Sequence, residues 1–362
     1  MIFSGRGGEF RQKKNFRSRI AYAAAPVTAD PTAENIPGAP ARLDWDATLR
    51  FRHHLWDHGF GVAEAMDTAQ RGAGLDYPAT RELIRRSAGE ATGPIVAGVG
   101  TDQLPAGPAT IDDITKAYLE QLSDVREAGA TPVIMCSRHL AAAAKDADDY
   151  RRVYGELLSQ SDSPVLLHWL GEAFDPLLAG YWGGNDTVLD IIREHAPKVE
   201  GIKISLLDAD YEVELRRRLP EGVRMYTGDD FNYPSLILGD DQGHSEALLG
   251  VLAVIAPPAA AAFRALDGGD VTTYEQIMGP TLPLARHLFA APTYHYKTGI
   301  VFLNWLAGHQ DHFTMVGGAQ SGRSPRHLLA LMRLADEAGI LPDADLATHR
   351  AAAWLTTVGM SR

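Results

Sequence analysis

A single cysteine, Cys136, among 362 residues rules out an internal disulfide and fits a reducing compartment. Basic charge is also short: 34 Lys and Arg against 46 Asp and Glu leave a formal net charge of -12, which disfavours nucleic acid or an anionic membrane as partner. No apolar run approaches the about 20 residues of a membrane span, and no secretory apolar region precedes a cleavage site. A cytoplasmic location is therefore expected. What the chain does have is a 45% apolar fraction, enough for a large core.

The basic residues that exist cluster at the start, where Arg6, Arg11, Lys13, Lys14, Arg17 and Arg19 accompany one acid, Glu9. Residues 1–18 thus read as a flexible basic arm. Beyond them, short apolar runs alternate with amphipathic segments, the pattern of parallel βαβ units. Candidate strands are Arg19 to Ala24, Gly61 to Met66, Pro94 to Val99, Thr131 to Cys136, Pro164 to Trp169, Gly201 to Ser205, Val223 to Thr227 and Ala247 to Val251. Eight such strands close more naturally into a (β/α)8 barrel than into an open sheet. The expected organisation is an α/β TIM barrel over 19–256, followed by a C-terminal helical extension over 257–362 packed on it. Helices are expected there at Ala259 to Leu266, Thr273 to Phe289, Lys297 to Leu306, Ser324 to Ala338 and Leu346 to Thr357.

Within the sixth strand, Lys203 stands in the β-branched run Val199 to Ser205. A lone ammonium there is costly unless paired or neutral. Desolvation lowers its pKa from about 10.4 toward neutrality, leaving a free amine able to attack a carbonyl. The other reading is a strand-end salt bridge. Other polar groups collect at strand C-termini, where a barrel builds its reactive cup. They are Asp67, Thr68 and Gln70 after strand two, Arg138 and His139 after strand four, His168, Trp169 and Glu172 at strand five, and Asp229 and Asp230 after strand seven. Tyr294-His295-Tyr296-Lys297 begins a later helix and is a further candidate to reach over the cup, with His295 as a binding residue.

Several short motifs follow in a telling order: Ala97-Gly98-Val99-Gly100, Ala128-Gly129-Ala130, Ser163-Pro164-Val165, Gly201-Ile202-Lys203 and Gly228-Asp229-Asp230. Their order resembles the dihydrodipicolinate synthase and N-acetylneuraminate lyase family of class I aldolase barrels, over about residues 19–290. The resemblance implies that Lys203 is the imine-forming lysine and that the chain forms dimers or tetramers. Two departures mark a divergent branch. The Gly-Thr-Thr-Gly-Glu turn after strand two is replaced by Asp67-Thr68-Ala69-Gln70-Arg71-Gly72, which argues against pyruvate, and the strand-five tyrosine gives way to His168.

The expected function is a Schiff-base lyase, aldolase or dehydratase with no cofactor, acting on a small carbonyl compound such as a keto sugar or sugar acid. His168 or Glu172 would move protons; Asp67, Thr68, Gln70, Arg138, His139, Asp229, Asp230 and His295 would bind substrate, and Trp169 would stack on a sugar face. One alternative is a metal-dependent sugar isomerase or eliminase, with a divalent ion on Asp67, His168, Glu172 and Asp229. Another is a non-catalytic sugar-binding barrel.

Overall fold

Small and β-branched residues flanked by turns form eight short parallel strands, as expected of segments buried on both faces. The computed structural model describes residues 2–10, 12, 15–184 and 186–360. Its strands are β1 Ala21–Ala24, β2 Gly61–Glu64, β3 Ile95–Val99, β4 Thr131–Ile134, β5 Val165–Leu170, β6 Val199–Ser205, β7 Arg224–Thr227 and β8 Glu246–Leu249. They hydrogen-bond in sequence order, and β8 returns to β1 through Ala21 opposite Ala247, closing the barrel.

Helices α1 Trp45–Asp57, α2 Tyr77–Gly89, α3 Ile111–Glu127, α4 Arg138–Ala143 and α5 Ala147–Ser159 follow the earlier strands. Then come α6 Thr187–Glu194, α7 Ala209–Arg218, α8 Tyr233–Leu238 and α9 Leu252–Asp267. Their starts are written in the sequence. Asp44, Asp76, Thr110, Ser137, Asp146 and Asp208 each accept a hydrogen bond from an amide of the following first turn. Such a cap contributes about 1 kcal/mol.

After the barrel come α10 Val271–Met278, α11 Thr281–Leu288, α12 Tyr296–Leu306, α13 Pro325–Glu337 and α14 Ala344–Thr357. The helix expected over 273–289 is two helices, broken at Gly279-Pro280. A division at 256/257 falls inside α9, which runs through Pro257 and Pro258 and packs on β1, so this helix belongs to the barrel. No helix of the described residues is long and apolar enough to cross a membrane.

The leading segment is attached rather than free where it is described. Phe16 packs edge-on against Phe60 and Phe263, at 5.1 and 5.0 Å between ring centres. The Ser4 amide donates to Asp336, and the Arg17 and Ser18 amides donate to Asp267. Burial of the two aromatic rings Phe3 and Phe16 outweighs the repulsion and entropy that favour a loose arm. Arg11, Lys13 and Lys14 of the expected arm lie outside the described residues.

Alternation along the strands sorts side chains into two cores. Tyr22, Ala63, Val96, Val133, Leu166 and Tyr226 fill the barrel interior, while residues between them face the helices. One polar contact crosses this second layer. Arg52 of α1 grips Glu64 of β2 with two 2.8 Å hydrogen bonds, both side chains being fully buried. Removing one partner strands the other charge in the core. Glu64→Ala should therefore lower the urea unfolding free energy by about 3–5 kcal/mol. Glu82→Ala, which breaks exposed pairs to Arg85 and Arg86, should leave it nearly unchanged.

Candidate active site

Because side chains alternate, the inward positions near the C-terminal end of β5 and β6 are His168, Lys203 and Ser205. His168 is directly opposite Lys203 in the pairing register, and Tyr226 of β7 flanks Lys203 on the other side. Gly201 is required below: a Cβ there would meet the Tyr226 ring at 2.7 Å. Gly228 is required beside it, since a Cβ would meet Lys203 Cε at 2.6 Å. Gly228 makes room for the lysine stem, and Gly201 for the Tyr226 ring beside it.

Lys203 is 7% exposed. Among the described residues its amine has no hydrogen bond and no ion pair, so the salt-bridge reading fails. Burial pulls its pKa below the ordinary lysine value, opposed by the negative fields of Asp230 and Asp67. Asp230 is displaced the other way: burial raises its carboxyl, opposed by the hydrogen bond its Oδ1 accepts from the Val251 amide at 2.9 Å and by Lys203. Burial thus moves acid and amine toward each other's range, while the charge of each opposes the other's shift.

His168 is 1% exposed; its Nε2 lies 3.3 Å from Ser205 Oγ, and its Nδ1 has no partner. Burial, and next the Lys203 charge, hold its pKa well below the usual imidazole range. It is a neutral base at physiological pH.

The other expected residues divide by what already holds them. Asp67 lies 2.9 Å from Lys297 Nζ of α12, an ion contact made at an angle outside hydrogen-bond geometry, since Asp67 Oδ2 accepts no hydrogen bond there. Lys297 also donates to the Tyr294 carbonyl and sits 4.6 Å above the rings of Tyr294 and Tyr296. Thr68 Oγ1 is 2.8 Å from the Tyr296 hydroxyl. Together these bonds fasten α12 over the end of β2.

The remaining expected residues are held by contacts outside the cavity or lie apart from it. Trp169 points outward, edge-on to Trp182 and Tyr211, because alternation reverses it relative to His168. Gln70 Nε2 donates to Ala73 and Val316 carbonyls, so it ties a loop down. Asp229 caps its own turn, accepting from the Phe231 and Asn232 amides and the Asn232 side chain. Glu172 is exposed on the loop after β5. The metal set Asp67, His168, Glu172 and Asp229 does not converge, and no group of three His, Cys, Asp or Glu among the described residues is arranged to hold an ion. His295 lies against the turn before Arg323, where burial and then the Arg323 and Lys297 charges depress its pKa.

A cavity of about 460 Å³ opens at the ends of β2 to β5, with Asp67, Arg138 and His139 in its wall. Lys203 is not in the wall; Asp67 is the residue common to the cavity and to the field around the amine. Arg71 and Asp102, also in the wall, were not singled out from sequence. Arg71 is buried and forms a 2.6 Å pair with Asp102, a contact between two loops that no local pattern announces.

A family model described as "Protein of unknown function (DUF993)" matches residues 4–360. No curated protein matches the chain. Among solved structures, dihydrodipicolinate synthase from Aquifex aeolicus superimposes with a TM-score of 0.68 at 15% identity, covering 89% of this chain and 99% of that one. The enzyme from Thermotoga maritima gives 0.67 at 15% identity over 90% and 100%. That from Acinetobacter baumannii, solved with pyruvate, gives 0.67 at 16% identity over 90% and 100%. At this identity the likeness concerns the fold, and it agrees with the barrel resemblance read from sequence.

The Asp67–Lys297 contact generates a prediction. Lys297→Met removes a cation and leaves the Asp67 charge uncompensated near Lys203, and both changes favour the ammonium form. The pH profile for acylation of Lys203, followed by peptide mass spectrometry, should move to higher pH. An unmoved profile would mean that Lys297 only packs.

Proposed function

Because the chain belongs to the family described as Protein of unknown function (DUF993) and folds as dihydrodipicolinate synthases do, we propose that it is a Schiff-base-forming lyase, aldolase or dehydratase acting through Lys203. One observation carries this reading: an amine inside the barrel, at a strand's C-terminal end, with no hydrogen bond or ion pair among the described residues and a pKa lowered by burial. Such an amine is costly to keep and has the reactivity that imine chemistry needs.

The neutral Lys203 nitrogen attacks the carbonyl carbon of a ketone or aldehyde, and the carbonyl oxygen takes a proton from the Asp230 carboxyl. The nitrogen gives up its own proton to the Asp230 carboxylate, and the hydroxyl leaves as water when that proton is returned to it. The product is a cationic imine. His168, neutral and with Nδ1 free, accepts the proton from the neighbouring carbon, and the electron pair settles into the enamine. In dehydration the enamine pair expels a hydroxyl from the next carbon, which leaves as water with the proton held on His168. In aldol cleavage the cationic imine instead takes the pair of the breaking carbon–carbon bond while the adjacent hydroxyl gives its proton to His168 and departs as an aldehyde. That proton returns to the enamine carbon before water hydrolyses the imine. Lysine is the electrophilic catalyst, so the scheme uses no cofactor. The chain is assigned to the reducing cytoplasm, in keeping with one cysteine, Cys136, and to dimers or tetramers, in keeping with the resemblance to class I aldolase barrels.

Support for a keto sugar weakens on the same geometry. Gln70, Asp229 and Trp169, which would have met its hydroxyls and ring face, are spent on loop and core contacts.

Borohydride with a bound carbonyl compound should add covalent mass at Lys203 and inactivate the protein, whereas Lys203→Met should gain none. Label spread over surface lysines would contradict the scheme. Stability supplies a second readout. The unfolded chain keeps its lysine proton up to about 10.4, and the folded chain releases it earlier, so charged Lys203 costs stability at and below neutral pH. That cost fades as pH rises through the lysine range. Lys203→Met should therefore raise unfolding free energy at pH 7 by roughly 1–4 kcal/mol, and the gain should shrink above pH 9 or so. A net loss at pH 7 would mark the lysine as structural.

A further inference from the structure

The wall of the cavity beside Asp67 is polar in name more than in chemistry. Arg71 is held by Asp102, the Gly98 carbonyl and Gln121. Arg138 Nε donates to Asp175 at 2.6 Å. Thr101 Oγ1 is 2.6 Å from Ser137 Oγ and 3.1 Å from His139 Nδ1, while His139 Nε2 faces the Pro105 carbonyl. Even the Cys136 thiol donates to the His168 carbonyl at 3.2 Å, and burial pushes its pKa up to about 12. Most of these groups satisfy one another, and the outer nitrogens of the half-exposed Arg138 guanidinium are the main donors left to a guest.

What remains facing the space is apolar: Leu104, Met135, Ala142, Leu170, Leu177 and Leu178. Leu177, on the short turn after β5, is 66% exposed, one of the few large apolar side chains left in water. Leu177 carries the apolar lining out to the lip of the cavity. The volume, about 460 Å³, is that of a small-molecule site.

We propose that this cavity receives the apolar body of the substrate, an alkyl chain or an aromatic ring, while its carbonyl reaches past Asp67 to Lys203. The identification of that guest as substrate rests on the Lys203 reading; the apolar character of the site does not. Specificity then follows from desolvation. Hydroxyl groups placed here would lose water and find most of the polar wall already paired. An aliphatic or aromatic carbonyl loses nothing comparable.

Alcohols separate the two ideas because they cannot form an imine. Benzyl alcohol and 1-hexanol, titrated by ligand-observed NMR, should bind at least tenfold more tightly than glycerol or erythritol. Ala142→Trp, at an exposed wall position, should fill the cavity and weaken that binding at least tenfold with an unchanged circular dichroism spectrum. Leu177→Asp, also exposed, gives a second variant that cannot harm the core. In parallel, borohydride should trap benzaldehyde on Lys203 faster than glyceraldehyde. Tighter binding of erythritol, or equal binding of benzyl alcohol by wild type and Ala142→Trp, would overturn the apolar site. Alcohol binding with no trapping of any aldehyde would overturn the substrate assignment and the imine together, leaving an apolar cavity without chemistry.

Discussion

The energetic cost of keeping one amine out of water organises this barrel. Lys203 stands beside Tyr226 and His168 in the strand register, on a stem that Gly228 leaves room for. Its field reaches His168, which it helps keep neutral, and Asp230, whose protonation it opposes. The Lys203 charge thus bears on both the groups proposed as base and acid, and the rest of the molecule supplies the burial that displaces all three.

That burial is assembled from parts distant in the chain. α12 arrives from beyond the barrel and closes over β2 through Lys297 on Asp67 and Tyr296 on Thr68, while the Val316 carbonyl takes the Gln70 amide. The turn after β2 is therefore a fastening surface for the C-terminal helices. In a barrel without these helices the same turn would be free to meet substrate. The turn and the C-terminal helices meet beside a pocket whose remaining walls are mostly apolar.

Much of the architecture is legible in local pattern, and the failures are instructive. All eight strands fall on the short apolar runs, with β5, β6 and β8 overrunning the expected ranges by one or two residues, because burial on both faces leaves little choice of residue. α9 begins earlier than expected since a Pro pair reads as a helix breaker, yet Ile255, Ala256, Ala259 and Ala260 pack its flank so fully that the helix continues through it. The inward lysine and histidine were legible from the period of two. The same period places Trp169 outward, and reading it as a sugar platform set aside that rule. Partnerships such as Asp67 with Lys297, Arg71 with Asp102 and Arg138 with Asp175 join separate loops, so no spacing along the chain announces them. This is why a cup full of charged residues in sequence becomes a largely apolar cavity in space.

The most direct test is a pH titration of Lys203 itself, read from the side-chain carbon signal next to its amine in isotope-labelled protein and assigned by its absence in Lys203→Met. With seven lysines in the chain, the spectrum is simple enough to resolve one outlier. A midpoint well below the common lysine range is the predicted result. A midpoint at or above about 10.4 would mean the amine is solvated or firmly paired, and the imine scheme would have no nucleophile.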